Sequence, residues 1–209
     1  MKLPFLFSIY LIVQFGVAFV GGFRYRSLPH SLRILEWLMI VGVVDACVQL
    51  FLASFHIHNL WTTHIYTFIE FIFVVIMYLS WMKQHRSRLV LLLCLAGFAI
   101  LWIVSKFSFE PFSFTDDGTA TISKIIQIIF SIYLLVDIVK ESDLIWTDDP
   151  RLWVVVGIII YAAGSLFWFA FYNKMLQASP ERLIEIYSLN WILMIISNLF
   201  YLRAFLCKK

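Results

Sequence analysis

Long apolar runs separated by short polar stretches are the dominant pattern of this chain. A helix that crosses a bilayer needs roughly 20 predominantly apolar residues. Seven segments reach that length: 4–22, 34–55, 61–82, 88–106, 119–139, 152–172 and 183–204. Pro29, Pro111, Pro150 and Pro180 fall in the breaks, and Pro4 opens the first run. Proline inside a helix removes a backbone donor and clashes with the preceding turn. No run contains one, so no kinked or broken span is signalled. The pattern predicts an all-α integral membrane protein, with a single seven-helix transmembrane domain over residues 1–209.

Lysine and arginine set the expected direction, because cytoplasmic ends carry the excess of positive charge. One set of loops holds Arg24, Arg26, Arg33, Lys83, Arg86, Arg88, Lys140, Arg151, Arg203, Lys208 and Lys209, and the other holds Lys2, Lys106, Lys174 and Arg182. Eleven against four predicts an outside N-terminus and a cytoplasmic C-terminus, in an inner or plasma membrane. The arginines that follow the first run also mark it as a retained helix rather than a cleaved signal peptide. Trp61, Trp81, Trp146, Trp153 and Tyr172 lie near run ends, where amphipathic rings anchor at the interface.

Composition narrows the function classes. Apolar residues make up 62% and charged residues 14%, against about half and a quarter in soluble domains. That leaves no room for a large soluble catalytic domain. The net charge of +3 is too small to imply nucleic acid or another polyanion as partner. Cys47, Cys94 and Cys207 have neither disulfide-scaffold nor zinc spacing, and no cofactor is expected.

The candidate chemistry is the set of polar residues at membrane depth, where ionisable groups are costly and point to function. Asp45 and Gln49 share a face of the second run, with Gly42 beside them. Thr63, Tyr66, Thr67 and Glu70 share a face of the third. Counting back from the turn near residue 58 sets Asp45 level with Glu70, each about ten residues or roughly 15 Å below the outer surface. Tyr10 and Gln14 join this layer from the first run, and Ser123, Gln127 and Ser131 from the fifth. Gly157, Tyr161, Ser165 and Trp168 join it from the sixth, and Tyr187, Asn190, Met194, Ser197 and Tyr201 from the seventh. The fourth run offers only Cys94 among Leu, Ala and Gly, so it is expected at the periphery of six helices that surround a polar centre. Asn, Gln, Ser and Tyr also bond helices together without any ligand. Gln14, Asp45, Gln49, Tyr66, Glu70, Gln127, Tyr161, Ser165 and Asn190 are the candidate ligand-binding or proton-relay residues. Two carboxylates at one depth repel if both ionise, so Asp45 and Glu70 could share a proton, or bind a cation or a cationic ligand together. Lys124 could neutralise one of them, although Glu185 is the better-placed partner for it.

Weaker signals surround this layer. His56, His58 and His64 cluster at the outer end of runs two and three. They could hold a metal or gate with pH, but interfacial histidines are the simpler expectation, and no HxxxH or HExxH spacing supports a tight site. Glu36 with Arg33, and Asp137 with Lys140, read as interfacial ion pairs. Loop 107–118, with Glu110, Asp116 and Asp117, reads as a solvated loop or a lid.

Trp37, Asp45, Ala46, Gln49, Leu50 and Phe51 align at constant offset with Trp153, Tyr161, Ala162, Ser165, Leu166 and Phe167. Ile65-Tyr66 likewise corresponds to Ile186-Tyr187. Read as a repeat, runs one to three and five to seven are parallel halves joined by run four. This layout resembles the three-plus-one-plus-three plan of the SWEET sugar facilitators, which also have an outside N-terminus. The resemblance covers topology only. That family carries prolines within the leading helices of each half and this chain has none, so no site residue is carried over. Other seven-span and intramembrane chemistries lack their residues. Segment 190–198 has no Schiff-base lysine for retinal, and no histidine follows residue 85, where a ceramidase-type or adiponectin-receptor-type zinc hydrolase needs them. Gly42-Val43-Val44-Asp45 lacks the second glycine of an intramembrane aspartyl protease, and Gly164-Ser165 lacks the histidine of a rhomboid.

Three functions remain as expectations. The first is a sensor- or receptor-like protein that binds a small ligand in an outward-opening polar pocket around Asp45 and Glu70. It would signal through a membrane or cytoplasmic partner. The second is a small-solute facilitator or proton-coupled transporter. The third is an intramembrane lipid-modifying enzyme that uses the two carboxylates as acid and base. A purely structural subunit is the remaining possibility.

Overall fold

The computed structural model describes residues 5–113, 115–141, 146–175 and 180–207, with side chains outside 146 and 169–187. It is all-helical among the described residues. The helices are α1 (Phe5–Arg24), α2 (His30–Ser54), α3 (Leu60–Trp81), α4 (His85–Ser108), α5 (Asp117–Glu141), α6 (Pro150–Met175) and α7 (Pro180–Leu206). Each covers one expected run, and all seven are long and apolar enough to cross a membrane. The hydropathy pattern has this power because a helix satisfies its own backbone donors and acceptors without water.

Helix ends follow local chemistry. Pro150 and Pro180 occupy first helical positions, where the missing N–H is no loss. α2 stops at a left-handed residue, His56, with φ of 55°. The His56 N–H donates to Ala53 O at 3.1 Å and the Ile57 N–H to Leu52 O at 2.9 Å. This Schellman pair satisfies carbonyls that the helix end leaves open. At the C-terminus of α7, the Arg24 guanidinium donates to the Phe205 carbonyl.

Helices α1, α2, α3, α5, α6 and α7 pack in that order, and α7 returns to α1. α4 packs chiefly against α3 and α5. In a bilayer, close packing replaces the hydrophobic effect as the force between helices, and small residues make close packing possible. Gly157 of α6 faces the Tyr201 ring, where a Cβ would lie 2.6 Å from the nearest ring carbon. Gly164, two turns along, faces Leu193. These notches draw α6 and α7 together.

The two ends of the bundle differ inside. Toward the α1–α2, α3–α4 and α5–α6 connections the interior is packed apolar core, including Leu35, Phe71, Val75, Ile138, Val154 and Phe205. Toward the α2–α3 and α4–α5 connections it opens into a cavity of about 790 Å³. Large apolar side chains such as Phe19, Phe51, Leu93, Ile100 and Ile129 cover the outside.

Candidate functional site

The cavity wall grows from helix periodicity. On α2, Gly42, Asp45 and Gln49 recur at three and four residues and face inward together. The Gln49 Nε2 donates to Asp45 Oδ2 at 2.7 Å. On α3, Thr63, Tyr66, Thr67 and Glu70 line the same space. Gln14 and Tyr10 of α1 and Tyr161 and Ser165 of α6 complete the wall, together with Asn190, Met194, Ser197 and Tyr201 of α7. Of the nine residues singled out from the sequence, eight line the cavity. Gln127 stands behind it and donates to Glu70 Oε1 at 3.1 Å. Tyr187 lies outside the described side chains. Phe7, Trp191, Asn198 and Thr115 also line the cavity and escaped the sequence reading, and Asp116 and Asp117 join them from the loop read as solvated or as a lid.

Glu70 is the most heavily bonded group of the wall. Its Oε1 accepts from the Lys124 ammonium and from Gln127, and its Oε2 accepts from the Tyr161 hydroxyl at 3.2 Å. The Lys124 Nζ lies 4.2 Å from the centre of the Tyr161 ring, a cation–π contact. Both charges are buried. Pairing and hydrogen bonding are what permit burial of charge at such depth. Lys124 thus neutralises Glu70, as one of the two expected partnerships, while Glu185 lies outside the described side chains. Among the described residues no hydrogen bond joins Asp45 to Glu70, so the proton-sharing pair is not formed.

Gln14 is 3% exposed, and its Oε1 has no hydrogen-bond partner. Its Nε2 lies against Gly42, where a Cβ would come within 2.7 Å of it and 3.4 Å of the Tyr66 hydroxyl. A buried acceptor without a donor costs about 1–3 kcal/mol.

The loop between α4 and α5 is built in rather than solvated. Asp116 is 2% exposed and accepts from the Thr67 hydroxyl at 2.6 Å. Glu110 caps α5 by accepting from the Gly118 and Thr119 N–H groups and, at 2.7 Å, from the Thr119 hydroxyl. Its other neighbour is Lys106, at 3.8 Å. The loop lies over the cavity, with Thr115, Asp116 and Asp117 on its wall.

The histidine cluster does not assemble. His56 and His58 are exposed, whereas His64 is 0% exposed and its Nδ1 pairs with the Lys106 ammonium of α4. A helical turn of α3 that carries a threonine toward the cavity turns His64 the other way. No group of three metal-ligating side chains occurs among the described residues.

The two interfacial ion pairs do not form. Arg33 donates to the Leu28 and Arg26 carbonyls, and Asp137 does not pair with Lys140. Glu36 instead turns inward between α1 and α7, 1% exposed, against Gly21, Gly22 and Phe205, and neither carboxyl oxygen has a hydrogen-bond partner. The missed signal was the Gly21-Gly22 pair, a notch wide enough to admit a carboxyl.

Comparison with protein-family models, curated proteins and solved structures finds no match for this chain.

Proposed function

We propose that this chain is an integral membrane protein that binds a small ligand, a sensor- or receptor-like module whose cavity opens to the outer side. The observation that carries this reading is the cavity of about 790 Å³, whose largely apolar wall holds a few polar groups. Ligand sites are concave, largely preformed and fixed by a few polar groups within an apolar lining. The excess of lysine and arginine at the opposite end supports the outward orientation, with the N-terminus outside. A sensor of this kind passes its signal to a membrane or cytoplasmic partner.

The test is a binding screen on the purified protein in nanodiscs, paired with flux assays in liposomes. Saturable binding without flux, weakened in Asp45→Asn, supports the sensor reading. Flux of the bound compound moves the assignment to transport. A library without any saturable binder overturns the reading.

One observation favours transport as the second reading, in the SWEET-like 3+1+3 layout. Glu36 is a second buried carboxyl, on α2 beyond Leu38 and Met39 of the cavity wall, and buried ionisable groups along a path are how pumps and transporters relay protons. The enzyme reading has less support, because Glu70 already accepts three hydrogen bonds and forms no acid–base pair with Asp45.

A further inference from the structure

The charges of the cavity wall do not balance. Four described carboxylates, Asp45, Glu70, Asp116 and Asp117, face one ammonium, Lys124. That ammonium is engaged with Glu70. Among the described residues no lysine or arginine pairs with Asp45; its α2 donor is the neutral Gln49 amide. Asp116 likewise accepts from a neutral hydroxyl, that of Thr67.

A second observation points the same way. The buried Gln14 Oε1 has no donor within the protein. Gln14 meets α2 at Gly42, one turn from Asp45 on the same face. Gln14 and Asp45 thus both line the cavity, and the Asp45 carboxylate and the unpartnered Gln14 oxygen both ask for N–H donors. Tyr10, Tyr66, Tyr161, Tyr201, Trp168 and Trp191 also stand on the wall, and aromatic faces attract cations. The volume suits a molecule with a body rather than a bare metal ion.

We propose that the cavity takes an organic ammonium ion, with its charged nitrogen between the Asp45 carboxylate and the Gln14 amide oxygen and its apolar body against the aromatic wall. This rests on the reading of the cavity as a ligand site and adds the sign and chemistry of the ligand. Gln49 holds the Asp45 carboxylate in place, while the Glu70–Lys124 pair contributes no net charge.

The experiment uses matched probes that differ in charge alone: tryptamine, tryptophol and indole-3-acetate, and phenethylamine, phenylethanol and phenylacetate. Each is titrated onto the full chain in nanodiscs, read by equilibrium binding and by thermal midpoint. The two amines are expected to bind saturably and at least tenfold more tightly than their alcohols and acids. Asp45→Asn removes that preference, Asp45→Glu keeps it, and Gln14→Leu weakens amine binding while the alcohols are unaffected. An alcohol or acid that binds as tightly as its amine overturns the charge assignment and leaves the ligand site standing. Absence of saturable amine binding overturns it too, and the wider screen then judges the site itself. If Asp45→Asn does not fold, the comparison of Asp45→Glu with Gln14→Leu decides.

Discussion

The ammonium of Lys124 on α5 is bonded to the carboxylate of Glu70 on α3, with both side chains buried. Removing one member leaves the other charged without a partner, at about 3–5 kcal/mol. Lys124→Ala should therefore lower the melting midpoint by about 10 °C, at roughly 2–4 °C per kcal/mol for a chain of this size. The double change Glu70→Gln with Lys124→Met should recover most of the loss. A double-mutant cycle followed by thermal melting in detergent reads the coupling, and additive losses would sink the pair as a unit.

Glu36 behaves in the opposite sense. Its two carboxyl oxygens are buried without partners, so Glu36→Met should raise stability by about 1–3 kcal/mol. If proton-coupled flux is found, the same variant should abolish it. A lowered midpoint would show that Glu36 has a stabilising partner after all.

Glycines at α6–α7 contacts should differ sharply from glycines in open space. Gly157→Ala drives a methyl into the Tyr201 ring and toward Phe200 Cβ, 3.2 Å away, at about 1–3 kcal/mol. Gly97→Ala meets nothing within 4 Å and should gain up to about 1 kcal/mol from helix propensity. Melting midpoints of the two variants, measured side by side, check both signs.

The bond from Thr67 to Asp116 fastens the α4–α5 loop to the wall of the cavity. Thr67→Val removes the donor and leaves a buried carboxylate unsatisfied. Amides of 109–116 should then exchange hydrogen faster by about tenfold or more, while those of the α2 and α6 interiors stay protected. Unchanged exchange in the loop would refute the fastening.

Cys207 tests orientation. It follows the last turn of α7, and burial pushes its thiol above the ordinary range, opposed by nearby Arg203. Thiolate is the reactive form. In a chain with Cys47→Ala and Cys94→Ala, a membrane-impermeant maleimide should label Cys207 only from the cytoplasmic side, slowly near neutrality and faster as pH rises. Labelling of intact cells would reverse the proposed topology.

The seven helices were readable because their apolar runs are long and the breaks carry proline and charge. The polar layer was readable for the same kind of reason: period and depth along one helix are properties of local sequence. Which carboxylate Lys124 meets was not, since the axial offset between α3 and α5 depends on packing between helices that are not neighbours in the chain. Glu36 was misread because a carboxyl two turns from a helix end looks interfacial, unless the glycine notch across from it is known. The acids of loop 109–116 looked solvated, yet Asp116 and Glu110 found their donors on α3 and at the head of α5.

The Glu70–Lys124 bond also bears on how the protein is made. Its members are 54 residues apart, and a ribosome adds about 5–20 residues per second. α3 therefore reaches the membrane roughly 3–10 s before the helix that neutralises its carboxylate. A charged residue at a helix centre costs about 3 kcal/mol at insertion. During that interval α3 is a poor tenant of lipid, to be sheltered by the insertion machinery until α5 arrives. On the proposed membrane reading, biogenesis of this chain is paced by the late helix, and a truncation that ends before α5 leaves Glu70 without its ammonium.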